Sequence, residues 1–400
     1  MTEKTTIGVA DTTTLRTDPT TDTIPSNPSA GHQMTAENHT IKKEKKSLVS
    51  RIRKHLSRLV LLGNMFALAW LYACCVITWI PCDVHPRLSL ITITFPVALI
   101  LNLLFVGAWL IVNIRRIWVP ILGIALCWGY VMDYYPIHLG SNHSVEGLKI
   151  VSWNSKYEGG ADRYEDFRNY IKNLDADIIC LQESDLSSWA WDDFVNEMKK
   201  KGYEYHIRKS LVLFTHMHIE ESDTLVYESR SNSSQWYRLT SKTDTIIVVN
   251  NHLESNHISA EIKEEYAEVL NNPAYSKAKE SGQSILPLMA QSARYRGKQT
   301  KALREFLSEH EGQHVIICGD FNDTPISYAY QTLSRQMKNA YRDSGRGIGV
   351  SYNQPGFWVR IDHIFFSEEG RSRNTHIDRS VDLSDHYPII SWVDFKQNQQ

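Results

Sequence analysis

The sequence predicts an α/β domain preceded by transmembrane helices, and three observations carry that reading. Long uncharged apolar runs fill much of residues 59–135. From Leu148 the texture changes to short apolar stretches alternating with amphipathic ones, the pattern of strands and helices packed in layers. Those apolar stretches repeatedly end on Asp, Asn, Gln, Glu or His, which is costly for a buried strand unless the polar groups find partners.

Residues 1–45 read as a Thr-rich tail. The first 40 hold twelve Thr and no aromatic residue, too little apolar surface to fold, so disorder is expected. The stretch "KKEKKSLVSRIRKHLSR" at 42–58 carries eight Lys/Arg and one Glu. Residues 46–137 form the membrane region, with spans expected at about 59–80, 88–114 and 117–135. The second tolerates Pro96, as membrane helices do. The third is short, and a buried or interfacial helix competes with it; Trp128, Tyr130, Tyr134 and Tyr135 suit an interface at its end. A signal peptide fits the first run poorly, since the run begins late and is long. "LYAC", ending at Cys74, resembles a lipoprotein cleavage site but is followed by two further runs. Basic residues precede the first span, and Arg115-Arg116 separate the second from the third, whereas "PCDVHPR" between the first two has one Arg. That asymmetry predicts a cytoplasmic N-terminus and an extracytoplasmic domain from residue 140 onward.

The formal net charge of −2 conceals an uneven distribution: residues 141–400 hold 30 Lys/Arg against 37 Asp/Glu. This acidic region lacks the broad basic footprint that grips nucleic acid non-specifically. No C-x-x-C pair occurs among the six cysteines. Cys180 and Cys318 sit inside apolar strands and read as buried free thiols rather than as a disulfide.

The domain expected over 145–397 opens with "LKIVSWN", a strand. "DRYEDFRNYIKNLDA" puts Phe167, Tyr170, Ile171 and Leu174 on one helical face. "DIICLQE" and "DTIIVVNNHLES" are further strands. Residues 259–310 read as helical stretches broken at Asn272-Pro273 and Pro287, the last with Leu303, Phe306 and Leu307 on one face. "VIICGDFNDTP", "VRIDHIFFS" and "YPIISWVDF" complete the strands.

The polar endings carry the chemistry. Side chains alternate across a strand, so Asp320 and Asn322 share one face and Phe321 points to the other. "VSWN" ends on Asn154, "ICLQE" on Gln182-Glu183, and "VVNNHLES" carries Asn251-His252. Asp362 lies inside an apolar strand, and Asp385-His386 precede the last one. Singly, each reads as a cap or turn residue; six in one domain do not. Oxygen donors from Glu, Asp and Asn suit Mg²⁺, Mn²⁺ or Ca²⁺, while zinc-type Cys/His clusters are absent. With two histidines, the set suggests metal-assisted attack of water on phosphorus. There is no G-x-S-x-G elbow and no P-loop.

In the order N, QE, HLES, GDFN-x-x-P, R-I-D-x-I-F and SDHYP, these motifs resemble the endonuclease/exonuclease/phosphatase superfamily over about residues 148–395. The resemblance implies a DNase I-like four-layer α/β sandwich, two packed mixed sheets flanked by helices, with the active site where strand ends converge at one edge. By matching position it implies that Asn154 and Glu183 hold a divalent ion, with Asp385 nearby. Asp320 and Asn322 would orient the attacking water and the phosphate, Asp320 acting as general base or proton donor. His252 would contact the phosphate oxygens. Asp362 would orient His386, which stabilises charge on the phosphorane-like transition state.

Two positions depart from the pattern. Thr215-His216 stand where many members carry Ser-Arg or Ser-Lys, which leaves a basic phosphate contact open, and His363 stands where Tyr is frequent. Arg294 and Arg296 are candidate phosphate contacts, against a reading as surface charges. The implied function is a membrane-anchored phosphoester hydrolase using Mg²⁺, with Mn²⁺ or Ca²⁺ as alternatives. Its partners would be the bilayer and a nucleic acid, lipid headgroup or small phosphate ester, with no protein partner expected. The competing reading is a non-catalytic membrane-bound module that binds a ligand or partner, disfavoured because every matched catalytic position is filled.

Overall fold

Apolar character and strand alternation, read in chain order, set the architecture. A computed structural model of the chain describes residues 28–138, 146–156, 161–184, 190–242, 244–258, 261, 278–354 and 357–395. The chain divides into two compact units, residues 1–59 and 60–400. The first contributes the exposed, basic start of α1 (Pro28–Ile77). This helix begins inside the tail expected to be disordered; residues 34–46 contain no Gly or Pro and are rich in Met, Ala, Glu and Lys, which favour helix. Residues 1–27 of that tail lie outside the described residues.

α2 (Pro86–Ser89), α3 (Phe95–Val112), α4 (Trp118–Leu126) and α5 (Trp128–Tyr134) follow. The stretches Lys45–Ile77 and Pro86–Val112 are long and apolar enough to cross a membrane. The third expected run is two helices bent by 65°, parting where Cys127 leaves helical geometry. Leu71, Cys74, Phe95, Leu99, Cys127 and Val131 bury one another where these helices meet.

The remaining chain builds two six-stranded mixed sheets. The first uses β1 (Leu148–Asn154), β2 (Ile178–Gln182), β3 (Glu204–Arg208), β4 (Leu211–Thr215), β13 (Gly370–Ile377) and β14 (Ile389–Phe395), in the order β13-β14-β1-β2-β4-β3. The second uses β5 (His218–Thr224), β6 (Ser234–Thr240), β7 (Thr245–His252), β8 (His314–Asp320), β9 (Met337–Asn339) and β12 (Asp362–Ser367), in the order β5-β6-β7-β8-β12-β9. A small hairpin pairs β10 (Tyr352–Gln354) with β11 (Phe357–Val359).

Each sheet buries both faces. Ile150, Cys180, Leu213, Tyr237, Val248, Cys318, Ile364 and Val393 fill the space between the sheets. On the outer face of the first, Val151, Trp153, Ile179 and Leu181 pack on Phe167, Ile171 and Phe194 of α6 (Ala161–Asn173) and α7 (Ala190–Lys200). On the outer face of the second, Val249, Ile317, Phe321 and Phe365 pack on α8 (Ala278–Glu309) and α9 (Tyr328–Ser334) through Leu303, Phe306 and Tyr330. α10 (Ala340–Ser344) closes one side, and the result is the four-layer sandwich expected from the sequence.

Pro287 lies inside α8 and does not end it, while Asn272-Pro273 falls outside the described residues. Cys180 and Cys318 are buried free thiols within the inter-sheet layer.

One glycine is required by close approach. Gly319 has φ +143°, and a Cβ there would fall 1.7 Å from the Asn251 carbonyl oxygen on β7. Gly319→Ala should therefore push β7 and β8 apart and cost at least about 2–3 kcal/mol. A melting temperature within two degrees of wild type would contradict this.

Candidate active site

The site is the polar continuation of the inter-sheet layer. Parallel pairs β1/β2 and β7/β8 end at one edge of the sandwich, and antiparallel β12 and β14 begin there. Stepping by two from inter-sheet core residues reaches each polar position. Ile150 leads to Ser152 and Asn154, Cys180 to Gln182, Val248 to Asn250 and His252, and Cys318 to Asp320, while Ile364 leads back to Asp362. In register, His252, Asp320 and Asp362 stand abreast across the second sheet, facing Asn154 and Gln182, which pair across the first.

Beneath the site lies a buried polar floor that sequence reasoning missed. Gln182 Nε2 donates to Asn250 Oδ1 (2.7 Å) and Ser152 Oγ (3.2 Å). Asn250 Nδ2 donates to the carbonyls of Leu181 (3.0 Å) and Val212 (3.1 Å). These bonds tie the two sheets together directly under the converging polar side chains. Their signal was present in the amides of "LQE" and "VVNN", but which face they occupy depends on the pairing of distant strands.

Above the floor, Asn154 Nδ2 donates to both Glu183 Oε1 (3.1 Å) and Asp320 Oδ2 (3.0 Å). Asn322 donates through its backbone N–H to Asp320 Oδ1 (2.7 Å) and through Nδ2 to Asp320 Oδ2 (3.2 Å). His252 Nε2 lies 3.3 Å from Glu183 Oε1 and 3.7 Å from Asp320 Oδ2. His386 Nδ1 meets Asp362 Oδ2 at 2.8 Å, and its Nε2 lies 3.8 Å from Asp320 Oδ2. The loop carrying His386 is pinned by Trp153 Nε1 donating to the His386 carbonyl (2.9 Å) and by Ser384 Oγ donating to the Asn154 carbonyl (2.8 Å). Glu183 and Asn322 both adopt left-handed backbone, φ +51° each. Asn tolerates that region, but a Glu there is strained by about 1 kcal/mol or more, a cost that clusters at functional positions.

Burial sets the protonation states. It raises the Asp320 carboxyl to about 7, with the His386 charge opposing and Asp362 adding. Burial also lowers His252 to about 4, against the pull of Glu183. At His386 burial opposes the charge, but Asp362 and Asp320 outweigh it and lift the imidazole to about 10. The site thus holds a neutral imidazole, an imidazolium and a carboxyl that titrates near neutrality. Because His386 is raised above its unfolded value, its ion pair with Asp362 stabilises the fold fully below about pH 6.5 and loses that contribution as pH climbs through about 10. In EDTA, the melting-temperature gap between wild type and Asp362→Asn should be widest near pH 6 and narrow by pH 10. A gap that widens with pH would refute this pairing.

The donor set fits a hard divalent cation. Single ligand atoms of Glu183, His252 and Asp320 lie within 4.8 Å of one another, as do those of Asp320, Asp362 and His386. Buried Asp362 Oδ1 and His252 Nε2 have no hydrogen-bond partner. Carboxylate and amide oxygens around such orphaned atoms suit Mg²⁺, Mn²⁺ or Ca²⁺ better than a soft metal.

Other expected residues lie further out. The Asp385 carboxylate is 3.9 Å from Lys156 Nζ and lines an adjoining polar depression with Lys156, Arg163, Asn353 and Ser384. Arg296 is 3% exposed, and its guanidinium is engaged by Asp323 (3.1 Å), Asn256 (3.0 Å) and the Glu254 carbonyl (2.9 Å). Arg294 is exposed on the same helix. Glu254 of "HLES", to which no role was given from sequence, is fully buried and holds Arg230 Nε (2.6 Å), Ser229 Oγ (2.7 Å) and His257 Nε2 (2.8 Å). Thr215-His216 fall at the opposite edge: β4 runs antiparallel to β2, so Thr215 pairs with Ile178 rather than reaching Glu183. The basic contact left open there therefore does not concern this site. His363 is buried, with Nε2 3.2 Å from the Asp323 carbonyl.

Fold and site together describe a phosphoester-hydrolase scaffold of the DNase I-like type. Residues 151–386, more than half of the chain, match the Endonuclease/Exonuclease/phosphatase family, and the chain belongs to that family. Residues 57–134 match a domain of unknown function. An exodeoxyribonuclease of Bacillus subtilis is 25% identical over 232 residues, 56% of this chain and 78% of the relative. An endonuclease/exonuclease/phosphatase family protein of Bacteroides thetaiotaomicron superposes with a TM-score of 0.45 at 18% identity, covering 64% of this chain and all of that one. The human Nocturnin catalytic domain, solved with a bound sulfate anion, gives 0.45 at 15% identity, covering 62% and 95%.

Proposed function

We propose that this protein is a membrane-anchored, divalent-metal-dependent phosphoester hydrolase. The observation that carries the reading is the convergence of Glu183, His252, Asp320, Asp362 and His386 at one strand-end edge, in two groups of three that share Asp320, the ligand atoms of each group lying within 4.8 Å of one another. Glu183 and Asn154 would hold a divalent cation, with Asp385 further out beside Lys156, and the cation would offset phosphoryl charge and lower the pKa of a water. Asp320 takes a proton from the attacking water at Oδ2, a role suited to a carboxyl titrating near 7. Asn322 and Asn154 fix that carboxylate through three hydrogen-bond donations, and Asn154 also donates to Glu183. Neutral His252 donates to a phosphoryl oxygen, and the His386 imidazolium, held by Asp362, stabilises the negative charge that grows in the transition state.

Full-length protein should hydrolyse bis-p-nitrophenyl phosphate with Mg²⁺ and lose that activity in EDTA. Metal-independent turnover would overturn the mechanism, and no turnover with any divalent ion would favour the non-catalytic module.

Anchoring is supported by a parity argument. The segment between the two long apolar helices packs on α8: Cys82 Sγ donates to the Ala293 carbonyl (3.1 Å), and a Cβ on Gly297 would meet the Asp83 backbone nitrogen at 2.5 Å. That segment and the sandwich therefore share one side of the membrane. In this reading the chain is back on the other side after α3, and the bent α4–α5 pair crosses again. Eight Lys/Arg at 42–58 and the Arg115-Arg116 pair favour the cytoplasm for the opposite side. A reporter active only outside the cytoplasm, fused after Gln400, should be active; a membrane-integrated but inactive fusion would refute the orientation.

A further inference from the structure

The edge of the sandwich that carries the site is also the edge braced against the apolar helices. From this we infer that the substrate is a phosphoester borne by lipid, presented to the site from the bilayer surface. The inference rests on the hydrolase and three-span readings above.

Three contacts carry it. The loop leaving β8 runs from Asp320 and Asn322 to Ile326, which is fully buried among Leu71, Cys74, Phe95 and Leu99 of α1 and α3. At roughly 3.5 Å per residue, the end of β8 lies within about 20 Å of a side chain seated between the spans. Second, Arg360, two residues before Asp362, donates Nη2 to the Asp133 and Tyr134 carbonyls at the end of α5 and stacks 4.1 Å from the Tyr341 ring centre. The buried Asp133 carboxylate in turn accepts from Gln331 Nε2 (2.8 Å), Arg342 Nη1 (2.8 Å) and Tyr330 Oη (3.3 Å). Third, the α8 turn seated on Cys82 and Asp83 carries Arg296, which grips Asp323, Asn256 and the Glu254 carbonyl in the loops after β8 and β7.

The strands that deliver His252, Asp320 and Asp362 are thus all fixed, at the site end, to the ends of the spans. Paired buried polar groups make this a rigid bracket rather than a tether. The level of the interface is marked by Trp79, whose exposed ring carries the Arg335 guanidinium 3.6 Å from its centre, one residue beyond α9. A site braced this close to the ends of the spans can reach a headgroup phosphate at the bilayer surface. The domain's acidic balance, 30 Lys/Arg to 37 Asp/Glu, disfavours the rival polymer substrate, which needs phosphate neutralisation along its length.

The test uses the full chain with Mg²⁺ in phosphatidylcholine vesicles. These are doped in turn with phosphatidic acid, phosphatidylglycerol, phosphatidylinositol phosphate or sphingomyelin. Parallel arms hold the water-soluble glycerophospho or phosphocholine counterparts, bis-p-nitrophenyl phosphate and a single-stranded DNA oligonucleotide. At least one vesicle lipid should be hydrolysed at least about 10-fold faster than its soluble counterpart, because surface confinement raises effective concentration. Its rate should climb with mole fraction in the surface at fixed bulk concentration. Turnover of the soluble esters or DNA without lipid hydrolysis, or a lipid rate indifferent to mole fraction, overturns the inference and leaves the hydrolase reading standing. Inertness in every arm removes the hydrolase reading itself.

Discussion

Asp320→Asn should lower kcat by about 10²-fold or more while moving the melting temperature by only a few degrees. The rate loss follows from removing the group proposed to take the proton. The small stability change reflects two opposed effects. Burial already drives the Asp320 carboxyl up to about 7, so the folded state gains when the charge is removed. An amide nitrogen at the Oδ2 position would, however, face the Asn154 and Asn322 Nδ2 donors, and each lost acceptor costs about 1–3 kcal/mol when buried. Cys318→Ser is the contrasting variant: it puts a hydroxyl into the apolar inter-sheet layer, so it should melt early and keep its kcat. Melting curves beside turnover numbers decide the matter. An active Asp320→Asn protein that melts early would make this residue a structural cap.

Glu183→Gln should abolish metal-dependent turnover and weaken Mn²⁺ binding by at least about 10-fold, measured by paramagnetic resonance of free Mn²⁺. The substitution keeps volume and removes one carboxylate charge beside Asn154 and His252. Because the residue is held at φ +51°, a conformation a side chain accepts only when its surroundings insist, the fold has no structural reason of its own to keep Glu here. Wild-type Mn²⁺ affinity in the variant would move the cation elsewhere in the cluster.

What could be read from sequence was what sits next to a strong periodic signal. Asn154, Asp320 and His252 end apolar runs whose alternation fixes their face, and that parity reappears intact in the inter-sheet layer. The sandwich was legible for the same reason, with the family resemblance supplying its layer count. Properties that depend on strand direction or distant partners were not legible. Thr215-His216 looked adjacent to the chemistry until β4 proved antiparallel to β2. Arg296 looked free because its partners lie 27, 40 and 42 residues away in sequence. The third apolar run reads as one continuous segment, and nothing in its composition announces a 65° bend at Cys127. The start of α1 at Pro28 was hidden by the Thr-rich composition that precedes it.

The Asp133–Arg360 bracket bears on how this protein can be divided. Arg360 is 2% exposed and donates to backbone carbonyls of α5, while Gln331, Tyr330 and Arg342 converge on the Asp133 carboxylate. Cutting the chain after Tyr134 would remove the α5 carbonyls that Arg360 Nη2 donates to, leaving the Ile348 carbonyl as an acceptor for Nη1, and would strip the Asp133 carboxylate from Gln331, Tyr330 and Arg342, each lost hydrogen bond costing about 1 kcal/mol. A soluble fragment is therefore expected to aggregate or to open at the start of β12, beside Asp362. Exchanging the helices for another segment would lose the same contacts. Helices and sandwich are thus mechanically one piece in this structure, and the whole chain is the form in which its stability is best measured.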